Sequence, residues 1–279
     1  VDNQYGTITL NSSGDTSDGT TTGKLKAVDV TVTSSGSGDI SIGNVEASED
    51  FTLTVTGGTA TVTTFDSSTF ASIDASESSG KLTVTGSLYS GNTTVLGGSA
   101  GDAITLDTAA ASGKVHSMSG GAGNDTITGS SGAETIIGGA GADSLDGAAG
   151  NDNISGGTGN DTFSFAATGQ LNAGDTIDGG EGTDNLDVTT EVDLDSSSTA
   201  STSVTLTGIE GVDITMGADN LSFDASGWTS LETLTFGSAA NESSPTVNNI
   251  RDGVLATFSN LNIDDATLDT VAGASITVD

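Results

Sequence analysis

Apolar and polar residues alternate with a period of two over short stretches along most of the chain. Phe51-Thr52-Leu53-Thr54-Val55 and Lys81-Leu82-Thr83-Val84-Thr85 are the cleanest cases. A period of two puts alternate side chains on opposite faces, so each run reads as a strand with one buried and one wet face. Before Leu96 the pattern predicts strands at Thr7–Leu10, Leu25–Thr33, Ile40–Ile42, Phe51–Thr56, Ala60–Thr64 and Leu82–Thr85, separated by Gly, Ser and Asp turns. No window carries a 3.6-residue period with capping residues, so little helix is expected.

A weaker pattern recurs beyond Asp187. Ile209-x-x-Val212-x-Ile214, Leu231-x-x-Leu234-x-Phe236 and Phe258-x-x-Leu261-x-Ile263 share one spacing, and Leu25-x-x-Val28-x-Val30 echoes it near the N-terminus. Phe65–Ile73 also aligns with Phe223–Leu231, which sets Trp228 at the apolar Phe70 position and makes it a core residue rather than a sugar platform. Irregular repeats of this kind fit a parallel β-helix with variable turns. The one proline, Pro245, lies in the polar stretch Gly237–Asn249, which reads as a surface loop or boundary.

The middle of the chain is different. Gly120–Ser164 divides into five contiguous nonapeptides: GGAGNDTIT, GSSGAETII, GGAGADSLD, GAAGNDNIS and GGTGNDTFS. Each has Gly at positions one and four, an acid at six (Asp125, Glu134, Asp143, Asp152, Asp161) and an apolar residue at eight (Ile127, Ile136, Leu145, Ile154, Phe163). Glycine permits positive φ in a tight turn that brings carbonyl oxygens together, a good cage for a hard cation. The short strand that follows points one apolar side chain inward, and a single unit cannot bury it without stacked neighbours.

After the insert Phe165–Gly169 the pattern continues in QLNAGDTID, with Asp175, and GGEGTDNLD, with Asp184. Upstream, GGSAGDAIT keeps Asp102 but has Ala100 in place of Gly. With two nonapeptides per coil, alternate units share an edge. The first, third and fifth units are complete, whereas the second and fourth read Gly129-Ser130 and Gly147-Ala148, and the second has Glu134 for Asp. The edge of complete units is expected to be the tighter ion ladder.

These nonapeptides resemble the repeats-in-toxin (RTX) motif GGxGxDxUx. The resemblance implies a parallel β-roll with several Ca²⁺ ions in its turns, held by backbone oxygens and by the position-six carboxylates. Carried over residue by residue, the metal residues are Asp102, Asp125, Glu134, Asp143, Asp152, Asp161, Asp175 and Asp184, with turn glycines Gly121, Gly123, Gly139, Gly141, Gly157, Gly159, Gly180 and Gly182. The fold expected is all-β: a β-rich solenoid over 1–96, an RTX β-roll over 97–187 and a second solenoid segment over 188–279.

Composition narrows the function. The 279 residues carry a net charge of −33, no cysteine, 33% hydrophobic and 4% aromatic residues. So thin an apolar supply suits a solenoid better than one large core. Five Lys and Arg make nucleic acid or an anionic membrane a poor partner, and cations the natural counter-charge. Bound metal takes the place of disulfide staples. No apolar run is long enough for a transmembrane helix. The chain starts at Val1 without Met and is expected to be a piece of a longer secreted or surface-held polypeptide; the resemblance implies export in one step by a type I route.

Catalytic patterns fail on context. Gly97-Gly98-Ser99-Ala100-Gly101 matches the nucleophile elbow G-x-S-x-G, yet a nonapeptide strand follows where the elbow needs a helix. His116, beside Ser117 and Ser119, is the only histidine, and no H-E-x-x-H is present. No catalytic residues are expected. The long Thr/Ser/Ala/Gly flanks resemble RTX-type bacterial surface-layer (S-layer) proteins, which implies a calcium-dependent structural protein on the cell surface whose partner is a lattice of its own copies. Cell-surface polysaccharide is a further candidate partner, reached through other regions. A calcium-stiffened module of an adhesin and the C-terminal tail of a secreted hydrolase are the alternatives.

Overall fold

A computed structural model describes residues 7–12, 19–21, 29–34, 40–47, 51–67, 70–86, 92–106, 114–167, 170–172, 174–189, 204–216, 222–225, 227–238, 246–259, 267–270 and 275–278. Among these every regular element is a β-strand. The chain divides into two compact units, Val1–Asp143 and Ser144–Asp279.

In the first unit the chain alternates between two sheets, and each strand pairs in parallel with the strand one coil away. One sheet stacks Phe51–Thr56, Phe70–Asp74, Asn92–Leu96, Val115–Ala122 and Ala133–Ala140. The other stacks Ile40–Ala47, Ala60–Ser67, Leu82–Gly86, Ala103–Leu106 and Thr126–Ser130. Between them run two apolar ladders. Leu53, Ile73, Val95, Met118 and Ile136 form one, and Ile42, Val62, Val84, Ile104 and Ile127 the other, all at most 2% exposed. Position eight of the nonapeptide is thus a rung: Ile127 and Ile136 continue ladders that the upstream strands begin. Outward positions carry mostly Thr and Ser, whose branched or short side chains suit a pleated surface.

The second unit repeats the plan. Phe163, Leu186, Val212, Leu234 and Ala256 are register partners in one sheet, and Ile154, Ile177 and Leu206 in the other. The strands expected near the N-terminus are present, several longer than the alternation alone suggests: Thr7–Ser12, Ile40–Ala47 and Ala60–Ser67. Of the run Leu25–Thr33, strand Asp29–Ser34 is seen, while Leu25 and Val28 lie outside the described residues.

Two expectations are corrected downstream. Val212 pairs with Leu234 and Ile214 with Phe236, as the shared spacing requires, but the next coil sets Ala256 against Leu234 and Phe258 against Phe236. Phe258 therefore aligns with Phe236 rather than with Leu231. The step from Val212 to Leu234 is repeated from Leu234 to Ala256, and the small Ala256 at the ladder position hid that register from a pattern based on large apolar residues. Part of the polar stretch Gly237–Asn249 is also strand: Thr246–Ile250 lies between Ser222–Asp224 and Thr267–Thr270 in a third sheet. Ladder hydrogen bonds need only backbone, so polar side chains did not prevent it. Pro245, Leu261 and Ile263 lie outside the described residues. Trp228 is in the core, 8% exposed.

Candidate metal centre

Each nonapeptide folds as turn, then acid, then strand, and the acid's side chain turns inward. Asp102, Asp125, Glu134, Asp143, Asp152, Asp161, Asp175 and Asp184 are all buried, none more than 2% exposed. Eight buried carboxylates demand partners, since an ionised carboxylate out of water is strongly disfavoured unless paired.

The backbone supplies some of them. On the edge of complete units, Oδ1 of Asp125, Asp143 and Asp184 accepts the main-chain N–H of the acid one coil earlier. Asp125 takes that of Asp102 at 2.6 Å, Asp143 that of Asp125 at 2.8 Å, and in the second unit Asp184 takes that of Asp161 at 2.7 Å. This ladder is regular because the strands are in register and the acid always opens the strand.

The second oxygen separates the sites. Oδ2 of Asp125 and of Asp184 is buried with no hydrogen-bond partner. Asp102, from the degenerate upstream unit, accepts the N–H of Leu82 on one oxygen and that of Gly98 on the other. Asp175 likewise accepts N–H groups of Asp152 and Asn172. Glu134 is held by Ser130, whose Oγ donates to Oε1 at 2.6 Å and whose N–H donates to Oε2 at 3.3 Å. Asp125 and Asp184 on the complete edge thus present orphaned anionic oxygens, whereas Asp102, Glu134 and Asp175 have both of theirs engaged by N–H or O–H donors.

Glycine does two jobs in these turns. Gly121, Gly123, Gly139, Gly141, Gly157, Gly159, Gly180 and Gly182 all take φ between 102° and 145°, a region that L side chains avoid. A Cβ on Gly139 would overlap the carbonyl oxygen of Gly121, and one on Gly180 that of Gly157, so carbonyl oxygens are aimed into the next turn of the stack. Position one has another reason for glycine. A Cβ on Gly120 would overlap Oδ2 of Asp125, and Gly156 and Gly179 stand in the same relation to Asp161 and Asp184. The missing side chain is the seat of the unit's own carboxylate.

Among the described residues no three His, Cys, Asp or Glu side chains converge as a metal cluster. A cation here would draw on one or two carboxylates and several carbonyls. That donor set is all oxygen and irregular, which suits Ca²⁺ and not the nitrogen and sulfur preference of Zn²⁺. The RTX calcium-binding nonapeptide repeat matches the chain in four copies, over residues 117–145 and 128–163. These are RTX calcium-binding repeats. Neither the curated proteins nor the solved structures compared with the chain gave a match. RTX repeats bind several calcium ions per block, and the orphaned oxygens of Asp125 and Asp184 are where this chain's residues fit them.

Two features are not apparent from the sequence alone. Residues 111–119 and 88–96 are in frame with the nonapeptides, with His116 and Thr93 at position six and Met118 and Val95 at position eight. The alignment of His116 with Thr93 and Glu134, and of Met118 with Val95 and Ile136, reveals this. Asn at position five is a second ladder: Oδ1 of Asn124 accepts the N–H of Ala142, and that of Asn160 the N–H of Thr183, each at 3.0 Å. Ser99 donates its N–H to the Ser78 carbonyl and is followed by strand Ala103–Leu106, and His116 points inward on the face opposite Ser117 and Ser119.

Burial pushes the Asp125 carboxyl up to about 7; the Asp102 N–H partly offsets this, and the neighbouring charges of Asp143 and Asp102 add to it. Burial also raises Asp102, Asp143, Asp175 and Asp184. A carboxyl with a raised folded pKa holds its proton more tightly folded than unfolded. Its stabilisation is complete below the unfolded value of about 4 and is lost as pH climbs to about 7. The chelated protein should therefore keep more β-structure at about pH 5 than at about pH 8, and calcium should restore it at pH 8 by replacing the protons. Circular dichroism with chelator at both pH values checks this. The two edges differ in a second measurable way. Asp125→Asn should weaken calcium binding about tenfold or more in calorimetric titration, equivalent to about 1.4 kcal/mol, whereas Glu134→Gln should change it far less.

Proposed function

We propose that this chain is a structural module of a secreted cell-surface protein of the S-layer type, folded and stiffened by calcium and assembling with its own copies into a lattice. The observation that carries the reading is the run of buried position-six carboxylates, with bare Oδ2 atoms at Asp125 and Asp184, set in a solenoid whose outward positions are mostly Thr and Ser. Such a module has nothing to do with its acids until an extracellular level of calcium reaches them. Sites of millimolar affinity suffice outside a cell.

The proposed ligands are Oδ2 of the first-edge acids Asp125, Asp143, Asp161 and Asp184 with the carbonyls of the glycine turns around them. Asp152, Glu134, Asp175 and Asp102 are weaker members of the set, the last three because their oxygens already accept N–H or O–H bonds. Calcium supplies positive charge at these positions, and everything else is done by the chain: turn glycines aim carbonyls, the in-register strands space the acids, and the apolar ladders fix the coils.

Assembly follows from charge. Copies carrying −33 repel, and salt screens only beyond roughly 8 Å at physiological strength, so surfaces in contact still feel one another. Each captured Ca²⁺ cancels two negative charges. The adhesin and hydrolase-tail alternatives share the calcium chemistry but not self-association. Electron microscopy of the purified parent protein across a calcium series should show ordered sheets or filaments at millimolar calcium, dispersed by chelator and poorly supported by magnesium, which gives up water reluctantly. Monomers at every calcium level with a folded roll would refute the lattice reading.

A further inference from the structure

The second edge has an occupant that calcium does not explain. His116 sits at position six of its coil, 0% exposed, and neither Nδ1 nor Nε2 has a hydrogen-bond partner. A neutral imidazole has one donor and one acceptor, and buried polar groups are nearly always satisfied. This one has both unsatisfied, in the column where the neighbouring coil places a carboxylate. A neutral imidazole keeps one nitrogen lone pair for a ligand bond.

Its neighbours are defined by register. His116 is aligned with Glu134 on one side and Thr93 on the other, both inward-facing and 2% exposed. Parallel strands lie about 4.8 Å apart, so the imidazole and the Glu134 side chain share one inward column at adjacent rungs. Glu134 is oriented from behind by Ser130, whose Oγ and N–H each donate to a carboxylate oxygen. A carboxylate fixed by such outer hydrogen bonds retains lone pairs for a cation. Lys114 is the one cationic side chain near the histidine in sequence, and it shows partial exposure.

We propose that His116 and Glu134 form a site for a borderline divalent transition ion such as Zn²⁺, separate from the calcium positions of the complete edge. Imidazole nitrogen with one carboxylate oxygen suits such an ion and is a poor set for Ca²⁺, which takes oxygen ligands. The Thr93 hydroxyl, turn carbonyls and water complete the shell, so the affinity expected is that of a two-side-chain site, weaker than structural zinc. The role would be to close the second edge at the coil where the acids stop. The inference stands on the roll geometry and is independent of the lattice reading.

The experiment uses the tag-free chain saturated with excess calcium, so that surface carboxylates are occupied. Zn²⁺ is titrated while the ring signals of the single histidine are followed by NMR, with calorimetry for stoichiometry. One Zn²⁺ per chain with shifted His116 ring signals is expected, lost in His116→Gln, and weakened about tenfold or more in Glu134→Gln. Calcium stoichiometry should be unchanged in His116→Gln. Ring signals that stay in place through the zinc titration would overturn the site, as would zinc binding that survives His116→Gln undiminished. The NMR readout needs no variant, so a variant that fails to fold leaves the test intact.

Discussion

A carboxylate buried without a counter-charge is the constraint on which this structure depends. Each strand buries only one or two apolar side chains, so the ladders bury little compared with a globular core. At the start of each nonapeptide strand the chain places an acid. The backbone N–H groups of Asp102 and Asp161 satisfy one oxygen of Asp125 and of Asp184 respectively and leave the other bare. In water-filled surroundings this would cost little; at 1% and 0% exposure it is prohibitive without a cation or a proton. Folding, calcium binding and pH response are therefore one equilibrium seen three ways.

Glycine is what allows the arrangement. Positive φ at Gly121 and Gly139 aims carbonyls along the stack, and the bare position one at Gly120 and Gly156 leaves room for the unit's own carboxylate. Any side chain at those places would move an oxygen away from the column. The same economy explains the differences between edges. Ser130 replaces glycine in the second unit and captures Glu134, and Ala148, the one non-glycine residue described with positive φ, marks the corresponding place in the fourth. In the second unit both carboxylate oxygens accept donors from Ser130, whereas Oδ2 of Asp125 in the first stays bare.

Much of this was legible in the sequence. The nonapeptide frame located the acids and the rung residues, and period-two alternation located most strands, because both depend on local geometry repeated many times. What was hidden depends on long-range register. His116 and Thr93 lie in frame with the acid column, but Lys114-Val115-His116 carries none of the motif's glycines, so only strand pairing exposes them. Ala256 is too small to advertise its rung, so spacing alone sets Phe258 against Leu231, five residues from its true partner Phe236. The strand Thr246–Ile250 is polar enough to pass for a loop because its pairing is carried by main-chain hydrogen bonds. The role of Gly120 was also invisible: a sequence shows that glycine is there, and only the folded carboxylate shows what the missing side chain makes room for.

Burial of the roll's acids at neutral pH should require calcium. The most direct measurement is far-ultraviolet circular dichroism of the full chain at neutral pH and low ionic strength, first with chelator and then through a calcium titration. Loss of β signal under chelation and its recovery with calcium, in a transition that Asp125→Asn shifts to higher calcium, is the predicted result. A spectrum unchanged by chelation would contradict it.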